Sequence, residues 1–345
     1  MSLSVEILKA SYGDAFILYC DDNGRKGTVV VDGGPKSTSL QILRKLRSIG
    51  CIDLMVLSHF DHDHIAGLYR YICTCISDNS FPVKEIWCNC AHQLNAPSID
   101  TKISYSEAHD LASVLQNIRG LEWKDNISDG LVRDLGFCRI NVISPTKDDL
   151  ERNLKEYEKA ENKHGDDSRV RISLNRIIIN QQQSLEKLAF NDTPKVSVNK
   201  DLINKAFILE CDGKSILMLG DARMENVVAY LKDKGYSTTN PLCVDCMKVS
   251  HHGSRNNICV ELLDMIKCDK FIISTDGGTG NSYHPDRETI AKILCHPCRN
   301  FNVKRHLYFN YPLEKIMERV GDFIQQDEFS KYNFDVHDNV SSLKL

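Results

Sequence analysis

The segment His59-Phe60-Asp61-His62-Asp63-His64 follows directly on the apolar run Ile52–Leu57 and precedes Ile65-Ala66-Gly67. The run reads as a buried strand. Ligands at the end of such a strand stand on a rigid platform with their side chains free to converge. At spacing two on an extended continuation, His59, Asp61 and Asp63 share one face, and His64 turns with the chain. A helix cap with Asp63 at the N-cap would need one such residue, not four. The chain is thus constrained to a layered fold with a polar site at its strand ends.

The same arrangement recurs. Asp32 follows Thr28–Val31 and precedes Gly33-Gly34. Asp221 follows the apolar run Ser215–Leu219. Each alone reads as a turn aspartate, yet a carboxylate at the end of a core strand can bridge two cations. His251-His252-Gly253-Ser254 follows strand Met247–Ser250, and paired histidines there point to a ligand or a substrate contact. His284, in Tyr283-His284-Pro285, reads as a candidate substrate contact or as a turn histidine before a helix opening on Pro285. His62, His92, His109, His164, His296, His306 and His337 have no comparable setting and read as surface or internally satisfied histidines.

Around these clusters, Val5–Leu8, Ala15–Cys20, Val83–Trp87, Cys138–Ile143, Lys270–Ser274 and Arg305–Phe309 read as strands. Ser39–Ile49, Ser104–Ile118, Met224–Lys234, Val260–Ile266, Arg287–Leu294 and Leu313–Ile324 read as helices. Asp212-Gly213 between Ala206–Cys211 and Ser215–Leu219 predicts a hairpin. Strands and helices in both halves, with polar clusters at the strand ends, predict an α/β sandwich with one deep site. We expect one domain over 1–325, a charged, partly helical insertion at about 147–199 (the run Asp148–Lys163 read as a solvated helix face), and a C-terminal tail at 326–345. A protein partner would attach through the insertion.

With 345 residues and 42% hydrophobic content the chain can bury a large core. Its net charge of -4 provides no global basic field, so a polyanion would have to be gripped locally, with bound cations supplying positive charge. The start MSLSVEILKASYGD is not a signal peptide, and no run approaches a membrane span, so no membrane association is expected. Fourteen cysteines then suit a reducing cytoplasm. Cys243/Cys246 and Cys295/Cys298 are too far apart for a zinc ribbon, and core packing is the expected role of the thiols.

In order, Val30-Val31-Asp32-Gly33-Gly34, Ser58–Gly67, Leu219-Gly220-Asp221-Ala222 and Lys248–Ser254 resemble the motifs of the metallo-β-lactamase superfamily. The resemblance is closest to the branch that includes the hydrolase domain of the competence DNA-uptake channel protein and its soluble relatives. Tyr12-Gly13-Asp14-Ala15, Asp61 in place of the second motif histidine, Lys248-to-Ser254 and His284-Pro285 carry it, over residues 3–295 with the insertion unmatched. No third-motif histidine has a suitable setting. Asp201 and Asn204 stand near that place.

The resemblance implies an αββα sandwich of two mixed sheets flanked by helices. It also implies two divalent metal ions, zinc or manganese, with the carboxylate at Asp61 shifting preference toward manganese. His59, Asp61, Asp63, His64, Asp221 and His251 would be the ligands. Asp63, Asp221 and His252 would be catalytic. His252, Ser254, His284 and Asn204 would contact substrate, with Asp32 and Asp14 in supporting positions. The implied activity is hydrolysis by a metal-bound hydroxide, foremost of phosphodiesters in nucleic acid or nucleotides, toward which Lys248 and Arg255 also lean. Hydrolysis of a carbonyl ester (lactone, thioester or β-lactam), redox chemistry at a di-iron site, and a non-catalytic metal-binding scaffold are the alternatives.

Overall fold

The computed structural model describes residues 2–90, 103–152, 183–190, 203–279 and 283–345. Asp201, His92, His164 and most of the expected insertion, including the charged run beyond residue 152, lie outside them. Strands β1 (Leu3–Ile7), β2 (Phe16–Asp22), β3 (Arg25–Val31), β4 (Ile52–Val56), β5 (Val83–Trp87), β6 (Glu122–Lys124) and β17 (Ser342–Lys344) form one sheet, in the order β17-β1-β2-β3-β4-β5-β6. Strands β7 (Val132–Asp134), β8 (Arg139–Ser144), β9 (Ala206–Cys211), β10 (Lys214–Met218), β12 (Cys246–Lys248), β14 (Lys270–Ile273), β15 (Arg305–Phe309) and β16 (Phe334–His337) form the other, in the order β16-β15-β14-β12-β10-β9-β8-β7. The two-residue strands β11 (Leu242–Cys243) and β13 (Ile266–Lys267) pair apart from both. Each sheet is mixed: β2–β3 and β9–β10 are antiparallel, β3–β4 and β10–β12 parallel.

Alternation along the strands builds the layers, because successive side chains face opposite sides of a sheet. Val29 and Val31, with Leu54 and Val56, join Phe207, Leu209, Ile216 and Met218 in one apolar cluster between the sheets. Val30 and Met55 face outward and pack with Ile42 and Leu46 of α1 (Ser39–Arg47) and Ile65, Leu68 and Ile72 of α2 (His62–Ser77). Ala108 and Leu111 of α3 (Ile103–Leu115) complete that outer layer. On the far side, Leu217, Met247, Phe271 and Leu307 pack with Leu188 of α4 (Leu185–Ala189), Val227 and Leu231 of α5 (Met224–Asp233) and Leu262 of α6 (Val260–Asp264). Ile290 and Leu294 of α7 (Arg287–Cys295) and Ile316 of α8 (Leu313–Val320) belong to the same cluster. This is an αββα sandwich, two mixed sheets packed face to face and flanked by helices. Each fully buried aliphatic side chain stabilises it by roughly 1.5–3 kcal/mol.

Several elements differ from expectation. The helix starting at Leu313 stops at Val320, not Ile324, because Gly321 takes φ 77° and closes it with a bond to the Met317 carbonyl. Residues 326–345 are not a tail. They form α9 (Glu328–Lys331), then β16 pairs with β15 and β17 pairs with β1, so the end of the chain edges both sheets. Short strands with one half-exposed face leave little periodic signal. Cys246 and Cys295 lie on opposite sides of one sheet, in different clusters. Among the described residues no helix is long and apolar enough to cross a membrane.

Candidate metal centre

The parallel strands β3, β4, β10 and β12 end side by side within their sheets, and ligand sites in α/β folds form outside such carboxyl ends. Asp32 leaves β3, Ser58 and His59 leave β4, Asp221 follows β10, and His251 and His252 follow β12. The segment after His59 does not stay extended. Helix α2 begins at His62, so Asp63 and His64 enter the site from its first turn. Asp61 holds the N-cap position, yet its side chain makes no capping bond. His251 and His252 both adopt left-handed backbone, φ 49° and 55°. Such strain costs about 1–3 kcal/mol per residue and concentrates at functional sites. Gly67 lets α2 approach so closely that an added Cβ would overlap the Gly33 carbonyl.

Each histidine is anchored through Nδ1. That atom lies 3.0 Å from Ser58 Oγ in His59, 2.8 Å from Asp32 Oδ2 in His64, 3.0 Å from Asn257 Oδ1 in His251 and 2.9 Å from the Ser274 carbonyl in His252. Asp32 also accepts from the Ser58 backbone N–H and hydroxyl, at 2.8 and 2.7 Å. The opposite nitrogens converge. Asp221 Oδ2 lies 3.8 Å from His59 Nε2, 3.5 Å from His64 Nε2 and 3.7 Å from His251 Nε2. Asp63 Oδ2 lies 3.7 Å from His64 Nε2 and 3.4 Å from His252 Nε2, and Asp61 Oδ2 lies 3.8 Å from His59 Nε2.

The buried Nε2 atoms of His59, His64 and His252 have no hydrogen-bond partner among the described residues. A buried polar atom left unpaired costs about 1–3 kcal/mol. Three aimed into one carboxylate-lined space fit a bound cation, which needs neutral imidazole nitrogen and ionised oxygen. Asp14, His64, Asp221 and His252 alone bring four ligand atoms within 4.8 Å of one another.

The electrostatics agree. Burial opposes protonation of His64, but Asp221, Asp63 and Asp32 outweigh it and raise the imidazole well above its ordinary value. His252 is pushed up to about 10 against burial by Asp14 and Asp63. Burial would raise Asp63, yet His64 and His252 hold it at about 2. Asp221 lies well below the ordinary carboxylate range, because His251 and His64 overcome its burial. The pocket therefore demands positive charge, as protons or as metal ions.

Above these groups lies a cavity of about 270 Å³ lined by Asp61, Asp63, Asp221, His251, His252, His284, Tyr12, Thr275, Gly278 and Thr279. His252 stands with the ligands as deeply as His64, 4% exposed, whereas the His251 side chain at the rim is 33% exposed. Both rings reach the centre, His252 from a buried position that also lines the cavity and His251 from the rim. Asn204 and Ser254 do not line the cavity. Asn204 Oδ1 accepts from the Asp221 backbone N–H at 3.0 Å, positioning that carboxylate, and Ser254 Oγ accepts from Asn256 N–H. Lys248 is also unavailable to a phosphate. Its ammonium is buried against Asp14 and donates to the Gly220 carbonyl. Arg255 lies outside the lining too, its backbone N–H bonded to Asp286. Tyr12, Thr275 and Thr279 were not singled out from sequence. Tyr12 sits inside the Tyr12-Gly13-Asp14-Ala15 motif and could have been.

No protein-family model and no curated protein sequence matches the chain. Solved structures similar to it include the metallo-beta-lactamase fold protein YhfI from Bacillus subtilis, at 9% identity and TM-score 0.41, over 100% of both chains. Zn(2+)-bound PqqB from Methylobacterium extorquens is similar at 11% identity and TM-score 0.46, covering 99% of this chain and 100% of that one. A metal-dependent hydrolase of the beta-lactamase superfamily is similar at 13% identity and TM-score 0.43, over 99% of both. Identities this low transfer no residue's role, and the sheet order and site geometry stand without them.

Proposed function

We propose that this chain is a metal-dependent hydrolase of the metallo-β-lactamase superfamily, acting on phosphodiester bonds in nucleic acid or nucleotides. The observation that carries the reading is Asp221 Oδ2, ringed by the ring nitrogens of His59, His64 and His251 at 3.5–3.8 Å. A carboxylate so placed suits bridging between two cations. One would be held by His59, Asp61 and Asp221, the other by Asp63, His64, Asp221 and the His251/His252 pair. Zinc and manganese both suit imidazole with carboxylate, and the carboxylates favour manganese. Such cations supply Lewis-acid polarisation and the charge that a hydrolytic transition state requires.

The chain's own groups orient and enclose. Ser58, Asp32, Asn257 and the Ser274 carbonyl fix the four rings by Nδ1, so no reorganisation is needed when substrate arrives. His284, Tyr12, Thr275 and Thr279 stand in the cavity wall. Bis(4-nitrophenyl) phosphate with manganese or zinc tests the reading. Turnover that disappears in Asp221→Ala is expected, and no turnover with any divalent metal in folded protein would overturn it.

One observation favours a second reading. The described cavity lining contains no Lys or Arg. Bound cations alone would then meet a phosphate's charge, whereas a carbonyl ester needs no cationic side chain. A parallel assay with a thioester and a lactone decides between them by the ratio of kcat/KM values.

A further inference from the structure

A second group of metal-ligating side chains lies outside the cavity. His306 belongs to β15, and Asp335 and His337 to its parallel neighbour β16. The register sets His306 beside Asp335 and Tyr308 beside His337. Leu307, Phe334 and Val336 pack in the helix-side core, so alternation puts His306, Asp335 and His337 together on the other face. His306 Nδ1 lies 3.1 Å from His337 Nε2 and 3.9 Å from Asp335 Oδ2. The three residues each bring a ligand atom within 4.8 Å of the others. Tyr308 stacks on the His337 ring, centroids 4.6 Å apart and planes 13° off parallel, which fixes that ring's direction. Lys304 takes the other Asp335 oxygen, Oδ1, at 3.1 Å.

We propose that His306, Asp335 and His337 form a separate site for a divalent transition metal ion of the zinc class, which clips the penultimate strand β16 onto β15. Two imidazole nitrogens and one carboxylate are a donor set for zinc, copper or nickel rather than for calcium or magnesium. Two bonds of about 2.0–2.1 Å meeting near the tetrahedral angle put their nitrogens roughly 3.3 Å apart. The nitrogens here already stand at 3.1 Å. The half-exposed position leaves room for water to complete the shell. Strand β16 is an edge whose strand partner in the sheet is β15, and the chain leaving it becomes β17 at the edge of the other sheet. A cation bridging β15 and β16 therefore fastens the segment that spans both sheets. Without a cation, the two rings would form an N–H···N hydrogen bond instead.

Zinc titration of the full-length, metal-free chain by calorimetry tests this, with wild type, His337→Gln and Asp221→Ala compared. His337→Gln should lose one zinc equivalent and keep its hydrolytic activity. Asp221→Ala should keep that equivalent, and zinc should raise its Tm but not that of the Asp221→Ala, His337→Gln double variant. Cobalt bound to Asp221→Ala should show visible absorption that His337→Gln abolishes. His306→Gln serves as the second variant if His337→Gln fails to fold. Equal zinc stoichiometry with and without the two histidines, or equal zinc stabilisation of both Asp221→Ala chains, would mean that the rings only hydrogen-bond to each other and would overturn the site.

Discussion

Asp32 Oδ2 stands 2.8 Å from His64 Nδ1, and both side chains are buried below the cavity. The contact makes Nδ1 the donor, so that the Nε2 lone pair, on the side of Asp221, is the one that would bind a cation. Asp32 also accepts two bonds from Ser58, whose hydroxyl lies against His59 Nδ1. One carboxylate thereby sets two of the converging rings.

Asp32→Asn should keep the fold and weaken metal binding by about 10–100-fold, the usual effect of removing such a support. Competition with a chromophoric chelator measures it. Affinity equal to wild type would show that the ring is held by packing alone.

His252→Ala should remove one metal equivalent and abolish hydrolysis, because its Nε2 faces Asp63 at 3.4 Å from a buried position. His251→Ala, at the rim, should cost less affinity. Elemental analysis of the two purified variants compares them, and the reverse order would exchange their roles.

Removing the metals with a chelator should lower Tm, since ions that bind only the folded chain stabilise it. Ligand at 100 times Kd contributes about 2.7 kcal/mol. Thermal unfolding with and without chelator reads the shift, and re-addition of zinc or manganese should restore it. In the Asp221→Ala, His337→Gln double variant the chelator should change Tm far less.

Lys248 and Asp14 form an ion pair with both side chains buried. Lys248→Met should destabilise the chain by about 3–5 kcal/mol, because it leaves an uncompensated buried carboxylate. Denaturant unfolding measures this, and Asp14→Asn combined with Lys248→Met should recover part of the loss. Additive losses would show that the two groups do not interact.

Glu85 gives the acid dependence. Burial pushes its carboxyl up, but Arg133, Trp87 and Lys124 bring it below its ordinary value. With the folded pKa lower than the unfolded one, of about 4.3, its stabilisation is complete above the unfolded value. It is lost as pH falls through the folded one. The stability difference between wild type and Glu85→Gln should therefore shrink as the solution is acidified below pH ~4. A gap that stays constant with pH would refute the lowered value.

Local pattern made much of the molecule legible. The strand runs, the Asp212-Gly213 hairpin and the polar residues after Val31, Leu57 and Leu219 follow from alternation and turn chemistry, which neighbouring residues settle among themselves. The edge strands β16 and β17 escaped because pairing, not periodicity, makes them strands. His306 and His337 for the same reason read as isolated surface histidines, 31 positions apart.

At the centre, the amino-acid sequence by itself determined which side chains could hold a cation and that they stand at strand ends. Only the tertiary structure decided their directions. Left-handed backbone at His251 and His252 turns one ring toward Asp221 and the other toward Asp63. A buried amide directs Asn204 to the backbone of Asp221 and away from the cavity, and Asp14 claims the charge of Lys248. Ring orientation, burial and charge pairing depend on partners brought from distant segments by packing of the two sheets, and no local pattern encodes them.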